Sequence, residues 1–422
     1  MKIAFFTDDY LPYIHGVTSS MLNYKAALEK MGHEVYTIAP KYEDYVDTDK
    51  RTIRTPSVNA LVVPDRRMSV LYPGLAKKFD KYHFDIVHTH TQVGLGALGY
   101  MVAKRQHIPH ISTMHTIVAE LLDDYPFAVY SGIIAMSIAY PIAFRTKPVI
   151  SIDNDPASQQ LISKKSFKKQ AWRLTSTFLN HASACITPSK HLEDTLIKHG
   201  LKAPSFVLPN GIDLTKYEDP SAELPLVKNP GEKWILAVAR LSGEKRQRIL
   251  VEAMKDVEDP KVKLLLVGDG PDREDLENLA RESGVQDRVV FLGWQSAESV
   301  ASIMKHSDVF TLASYMFDNQ PMVIIEAIAS GLPVVICDHN LQEGLTAKNS
   351  ILTKGIESKD FAEAFNSLLQ NEEKLRSMSK HSKLISKEFD INLLAEKLLD
   401  IYRSAPPISQ PSRFKRFIGA KR

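Results

Sequence analysis

Strand-like and helix-like patterns alternate along this chain twice over, and that alternation excludes most folds before any motif is considered. Such alternation gives parallel strands joined by helical crossovers. Residues 2–7 read as a buried strand and 8–16 as a loop. Val17, Met21, Tyr24 and Leu28 then share one helical face, which stops at Gly32. Residues 34–39, 85–90 and 110–113 read as further strands of that sheet. A second series begins near Trp234, with strands at 235–239, 263–267, 289–292, 309–312 and 333–336. Its helices read as 246–257 and 272–283. The seam falls near Pro209-Asn210-Gly211. A chain of 422 residues exceeds what one hydrophobic core organises. The expectation is therefore an α/β protein of two domains, 1–205 and 206–391, with a basic tail at 404–422.

Hydrophobic residues make up 44% and charged residues 24%, as in ordinary folded domains. A net charge of +3 argues against a broad basic face for nucleic acid. Cys185 and Cys337 lie in apolar strand-like runs and read as buried thiols of a reducing compartment. With no second pair of cysteines, a structural zinc site is disfavoured. The apolar part of the N-terminus is too short for a signal peptide and reads as the first strand. A cytoplasmic protein is expected.

The residues that could carry chemistry concentrate in 314–335. Pro321 opens an apolar helix as its first residue, and Gly331 with Pro333 closes it. Asp318 and Asn319 then lie at a helix N-terminus, where free amides and the helix dipole attract an anion. Glu326 lies further along the same helix. A polar corner, a phosphate seat and a hydroxyl acceptor on one element suit a sugar nucleotide. The plain alternative is a buried helix carrying an acidic pair by chance.

Arg240 and Lys245 flank a loop between a strand and a helix, at the sheet edge where ligands bind in such folds. Two cations there suit a departing diphosphate, and a surface ion pair with Glu244 is the alternative. Gly16 ends the first post-strand loop and lets backbone approach a ligand. Gly268-Asp269-Gly270 is accounted for by turn chemistry. Among the histidines, His115 in Ser-Thr-Met-His-Thr is the choice for a working role. His88 and His90 share a face opposite to Thr89 and would bind zinc only with further ligands. Asp153-Asn154-Asp155 could hold a divalent metal on a diphosphate, but Pro156 and Ser158 make it an ordinary helix start. No Gly-x-Gly-x-x-Gly follows the first strand, which disfavours a dehydrogenase.

Residues 125–144 form a charge-free stretch about long enough to span a bilayer. Its prolines and glycine, and its place within a sheet domain, speak instead for a buried helical insertion or an interfacial surface. Residues 164–173 interleave lysines with Phe167 and Trp172, and 413–422 repeats that composition. Both suit an anionic membrane surface, with a solvated basic helix face as the bland reading.

Taken in order, Tyr-Leu-Pro-Tyr-Ile-His-Gly-Val, Asp-Ile-Val-His-Thr-His, Thr-Met-His-Thr, Thr-Pro-Ser, Leu-Pro-Asn-Gly-Ile-Asp, Ala-Arg-Leu-Ser-Gly-Glu-Lys, Val-Gly-Asp-Gly-Pro and Asp-Asn-Gln-Pro…Glu-Ala…Ser-Gly-Leu-Pro-Val-Val resemble the retaining GT-B glycosyltransferases of family 4. Within that family the chain looks most like membrane-associated diacylglycerol glucosyltransferases. The resemblance implies two Rossmann-like domains facing each other across a cleft, with the helix at 392–403 returning to the first. It implies Glu326 on the ribose hydroxyls, Asp318 on the donor sugar, and the backbone of Asn319, Gln320, Pro321 and Met322 turned toward the donor, with amides from the three that carry an N–H. Arg240 and Lys245 would hold the diphosphate, Gly16 would let the first loop close over it, and His115 would sit beside the reacting sugar. The reaction would need no metal and would retain anomeric configuration. The donor would be a nucleoside diphosphate sugar such as UDP-glucose, the acceptor a lipid such as diacylglycerol, and the place the inner face of the cell membrane.

The chain departs from the pattern twice. Asp318 stands where the family usually has glutamate, and His15 where it often has a first glycine. A soluble or wall-polysaccharide acceptor, or a noncatalytic nucleotide-sugar binder, are the rival readings.

Overall fold

A computed structural model describes residues 1–59, 67–115, 126–144 and 164–408. It contains two compact units, Met1–Leu208 with the residues from Ala395 onward, and Pro209–Leu394.

The first unit carries strands β1 (Lys2–Phe6), β2 (Glu34–Pro40), β3 (Thr52–Thr55), β4 (Ser57–Asn59), β5 (Arg67–Ser69), β6 (Ile86–Thr89), β7 (His110–Thr113), β8 (Ala184–Thr187) and β9 (Ser205–Val207). Its helices are α1 (Gly16–Lys30), α2 (Leu95–Gln106), α3 (Pro126–Phe144), α4 (Lys164–Leu179) and α5 (Lys190–Lys198). The seven-stranded sheet has the order β3-β2-β1-β6-β7-β8-β9. All its pairings among the described residues are parallel, and β4 and β5 form a separate antiparallel ribbon. Covering both faces of a parallel sheet with helices selects continuous apolar strands, and Ile3, Ala4, Phe5 and Phe6 are fully buried. One face packs Phe6, Ile38, Val87 and Leu98 together; Met114, Tyr140, Trp172 and Phe178 belong to a second cluster.

α3 is the charge-free stretch, and it is largely a core element. Ile133, Met136, Tyr140 and Phe144 are buried, while Ile134 faces solvent. No helix among the described residues is long and apolar enough to cross a membrane. α4 corrects part of the sequence reading. Trp172 is only 6% exposed and stacks flat on His199 at 4.1 Å, and Phe167 packs edge-on against Tyr130. Phe167 turns toward α3 and Trp172 toward the end of α5, which leaves Lys169 and Arg173 exposed. The tail at 413–422 and the Asp153-Asn154-Asp155 motif lie outside the described residues.

The second unit carries β10 (Lys233–Val238), β11 (Val262–Val267), β12 (Val289–Gly293), β13 (Val309–Leu312), β14 (Val334–Ile336) and β15 (Ser350–Leu352). Its helices are α6 (Thr215–Glu218), α7 (Gln247–Ala253), α8 (Arg273–Glu282), α9 (Ala297–His306), α10 (Met322–Ala329), α11 (Ser358–Leu369) and α12 (Glu372–Ile385). α13 (Ile391–Ser404) begins here and ends in the first unit. α7 is shorter than the expected 246–257. Arg246 has φ +53°, and beyond Ala253 the chain tightens into bonds such as Asp256 N to Ala253 O at 3.0 Å.

The six-stranded sheet runs β12-β11-β10-β13-β14-β15, all parallel. Strand order therefore reverses between β10 and β13, as it does between β1 and β6 in the first unit. At such a reversal adjacent loops diverge and leave a crevice at the strands' carboxyl ends. In the second unit those loops are 239–246 and 313–321; in the first they are 7–15 and 90–94.

Candidate functional site

Backbone approach fixes the loop after β10. Gly268 has φ +129°, and a Cβ there would meet Ala239 O at 2.0 Å. A Cβ on Gly270 would meet Leu241 O at 2.2 Å. Leu241 N in turn donates to Asp269 O at 3.0 Å. These glycines thus serve close packing against the neighbouring loop, which turn chemistry alone did not reveal. The loop leaves the Arg240 side chain exposed.

Lys245 leaves this loop through a 3-10 turn, Gly243–Lys245. Its ammonium donates to both oxygens of Asp318, at 2.7 and 2.9 Å, and lies 4.9 Å from the centre of the Phe317 ring. Ser314 Oγ donates to the same carboxylate at 2.6 Å. The alternative pairing of Lys245 with Glu244 is replaced by this contact, and Glu244 instead accepts from Ser242 at 2.7 Å. Lys245 and Asp318 are each mostly buried, with side-chain exposures of 17% and 15%. Screening is weaker there than at an open surface.

The loop that carries Asp318 is itself anchored. Met316 adopts φ +54°, unusual for a side chain of its size. Its N–H donates to Asp338 Oδ2 at 2.7 Å, and Asp338 is almost completely buried at the end of β14. Arg246 donates to Ala313 O at 3.4 Å and to Ile356 O at 2.9 Å.

Pro321 is the residue before α10 rather than its first member. Its ψ of 123° is extended, and the helix begins at Met322. Pro321 sets the entry angle, so Asp318 and Asn319 stand outside the helix. Gly331 closes it at φ +85°. Gln320 is buried and accepts from Asn210 N at 2.6 Å. Gln320 Nε2 is buried without a partner among the described residues, which is uncommon for a donor. Asn319, Gln320 and Pro321 line a shallow recess, open to solvent, together with Ile324 and Ile325.

Glu326 lies in the second turn of α10 with the Tyr217 hydroxyl of α6 as its hydrogen-bond partner. Burial pushes the carboxyl up to about 7, against an opposing pull from Tyr217 and nearby Lys216. The Tyr217 hydroxyl is pushed upward too, first by burial and then by Glu326. Sequence reasoning missed Tyr217; its only signal was a short helix after Asn-Gly-Ile-Asp.

The first unit holds the other expected residues. Gly16 is the exposed first residue of α1, after His15, whose Nε2 lies 3.5 Å from Asp9 Oδ1. Asp8 was not singled out, yet it braces the crevice. Its carboxylate accepts from Thr91 Oγ1 at 2.7 Å and from Leu95 N at the start of α2 at 3.1 Å. Burial pushes it up to about 7.

His115 follows β7 and is half-buried. Its Nε2 lies 3.1 Å from Nδ1 of His90, which is buried. Burial first, then the nearby His15, pushes His115 down to about 4, so it is neutral near pH 7. His88 bonds through both ring nitrogens, to Tyr402 of α13 and to Thr113, each at 2.7 Å. These bonds leave His88 a structural part. Among the described residues, no group of three or more His, Cys, Asp or Glu could hold a metal ion.

Within the second unit Lys245 pairs with Asp318, Asn319 and Gln320 line the recess beside them in sequence, and Glu326 meets Tyr217 further along α10. Known proteins share this architecture. The Glycosyltransferase Family 4 signature matches residues 14–216, and that of Glycosyl transferases group 1 matches residues 223–384. An alpha-monoglucosyldiacylglycerol synthase of Streptococcus pneumoniae is 32% identical over 354 residues, covering 79% of this chain and 70% of its own. Its counterpart in Acholeplasma laidlawii is 26% identical over 420 residues, covering 95% and 96%. The Anabaena protein Alr3699/HepE, solved in complex with UDP, superposes with a TM-score of 0.70 at 19% identity, covering 96% and 100% of the two chains. At that identity the likeness speaks for the fold alone. The paired Rossmann-like units, the family signatures and these relatives agree: this chain belongs to the GT-B glycosyltransferases of family 4.

Proposed function

We propose that the chain is a metal-independent, retaining hexosyltransferase that moves glucose from UDP-glucose to diacylglycerol at the cytoplasmic face of a membrane. The observation that carries this reading is the Lys245–Asp318 pair held beside the start of α10. A diphosphate is a stronger electrostatic partner for an ammonium than one carboxylate. On this reading the donor draws Lys245 to its phosphates, together with Arg240. The two cations offset the charge that grows on the departing UDP, the role a metal fills elsewhere. Asp318, held by Ser314, is left to accept from a sugar hydroxyl. Backbone N–H groups at Asn319 and Met322 and the Gln320 amide add donors for the diphosphate. Glu326, oriented by Tyr217, accepts from the ribose hydroxyls. Gly16 opens space at the first loop, and His115 contacts the donor sugar.

The lipid acceptor draws support from the names of the two synthases. It also draws support from Lys169 and Arg173, exposed on α4, and Ile134, exposed on α3. The inward turn of Trp172 favours the second reading, a soluble or polysaccharide acceptor. Purified protein incubated with UDP-[14C]glucose and diacylglycerol in phosphatidylglycerol vesicles should yield labelled α-glucosyldiacylglycerol in the presence of EDTA. Vesicle sedimentation should weaken as salt rises. Labelled lipid absent, with UDP-glucose still hydrolysed, removes the lipid acceptor; a β-linked product removes retention.

A further inference from the structure

We infer that His90 is a positioning residue that fixes His115 as the imidazole tautomer protonated on Nδ1. The inference takes family membership as given and adds which ring atom of His115 is a donor. It starts from hydrogen-bond bookkeeping. His90 Nδ1 and His115 Nε2 are 3.1 Å apart, so one carries the proton and the other the lone pair. The opposite nitrogen of His90, Nε2, is buried and has no partner among the described residues. An orphaned buried N–H is rarer and costlier than an under-used acceptor. The proton of His90 therefore belongs on Nδ1, where it donates to His115 Nε2. Neutral His115 must then carry its own proton on Nδ1.

The surroundings hold this arrangement in place. The His90 ring lies 4.2 Å from that of His88 and 4.8 Å from Phe5, centre to centre. His88 cannot turn without breaking its bonds to Tyr402 and Thr113. The His90 and His115 rings lie within 20° of parallel. Burial disfavours the imidazolium at both rings. His115 consequently carries its proton on Nδ1 and has no basic nitrogen at Nε2, which gives the ring donor character on its Nδ1 side and excludes service as general base through Nε2.

Two readouts test this on the full chain. Nitrogen-15 spectra of histidine-labelled protein should show His115 with a protonated Nδ1 and a bare Nε2. In His90→Phe, which keeps a ring in the cavity, that preference should be lost while thermal unfolding stays cooperative. A protonated Nε2 on His115 in the unaltered protein overturns the inference, whatever the substrate proves to be. In transfer from UDP-glucose, an asparagine amide can stand in for Nδ1–H and a glutamine amide for Nε2–H. His115→Asn should cost roughly tenfold in kcat/KM and His115→Gln roughly a hundredfold. His90→Phe should cost roughly tenfold alone and almost nothing further in a His115→Asn background. Additive losses, or glutamine outperforming asparagine, would refute the role of His90. Absence of transfer by the unaltered protein would count against the proposed function and leave the spectral test standing.

Discussion

Two corners of the molecule organise polar groups by opposite means. Around Lys245 the second unit uses full charges: an ammonium between two carboxylate oxygens, with a serine hydroxyl on the same acid. Around His90 the first unit uses neutral rings stacked against one another and bonded end to end. The difference lies in what each corner can exchange. A charged pair near solvent can trade one partner for another of higher charge, so it suits a diphosphate that arrives and leaves. A buried neutral array cannot trade partners without exposing an unsatisfied nitrogen, so it suits a fixed donor direction. The first is a store of electrostatic attraction and the second a rigid jig.

The contrast breaks most sharply at Lys245. Lys245→Ala removes the cation and leaves Asp318 without its main counter-charge. Turnover with UDP-glucose should fall on the order of a hundredfold or more. His115→Asn, on the neutral side, is expected to lose much less. Steady-state kinetics on both variants decide the matter, and equal losses would show that charge exchange has no special place here.

Each unit also holds a carboxyl group that burial keeps from ionising until well above the ordinary carboxylate range: Asp8, shifted from 3.8 to about 7, and Glu326, shifted from 4.5 to about 7. The sign follows from proton counting. As pH climbs from the ordinary carboxylate range toward 7, the unfolded chain releases these protons first, so the folded state loses stability across that window. Each group accounts for up to about 3–4 kcal/mol, discounted because part of each residue meets water, and less for Glu326, whose shift is smaller. Asp8→Asn and Glu326→Gln should therefore gain stability relative to the parent between about pH 4 and pH 7, read by thermal unfolding at both. An unchanged difference between variant and parent across that range would mean the carboxyls ionise normally.

A smaller loss is expected at the closing helix. Tyr402→Phe removes the hydroxyl on His88 Nδ1 and strands a buried nitrogen. The cost should be about 1–3 kcal/mol in chemical denaturation. A neutral result would show that His88 is satisfied by water and that the jig is looser than its geometry suggests.

How much of this was legible depends on how local the information is. β10, β11 and β13 announce themselves because a strand buried on both faces is a continuous apolar run. Helix α10 is bracketed by Pro321 and Gly331. The edge strands β3 and β15 are short and partly exposed, so no apolar run marks them. Proline at 321 is compatible with both the cap and the first turn, and only the observed ψ decides between them. The partners are harder still. Tyr217 with Glu326, Asp338 with Met316, and His90 with His115 meet only after the sheets form, and nothing in the local sequence names them. The pairing of Lys245 with Asp318 belongs to the same class. Each residue is conspicuous in its own segment, but their contact is a property of the reversal between β10 and β13.

Asp318 provides the finest test of the charged corner. Its carboxylate reaches Lys245 and Ser314 with a side chain one methylene shorter than the glutamate usual in the resembled family. Asp318→Glu pushes the acid group outward while the anchors of the loop, Asp338 and Arg246, stay where they are. A half-buried pair that keeps both charges loses little, so stability should change by less than about 1 kcal/mol. The effect should instead fall on the sugar. A hydroxyl acceptor displaced by one methylene discriminates modestly between epimers, since small pocket changes are worth about 1–3 kcal/mol. The ratio of kcat/KM for UDP-glucose over UDP-galactose should shift by roughly tenfold, with the inhibition constant of UDP unchanged. A variant that alters UDP affinity and leaves the sugar ratio untouched would place Asp318 on the phosphate side of the pair, and the division of labour between Lys245 and Asp318 would have to be redrawn.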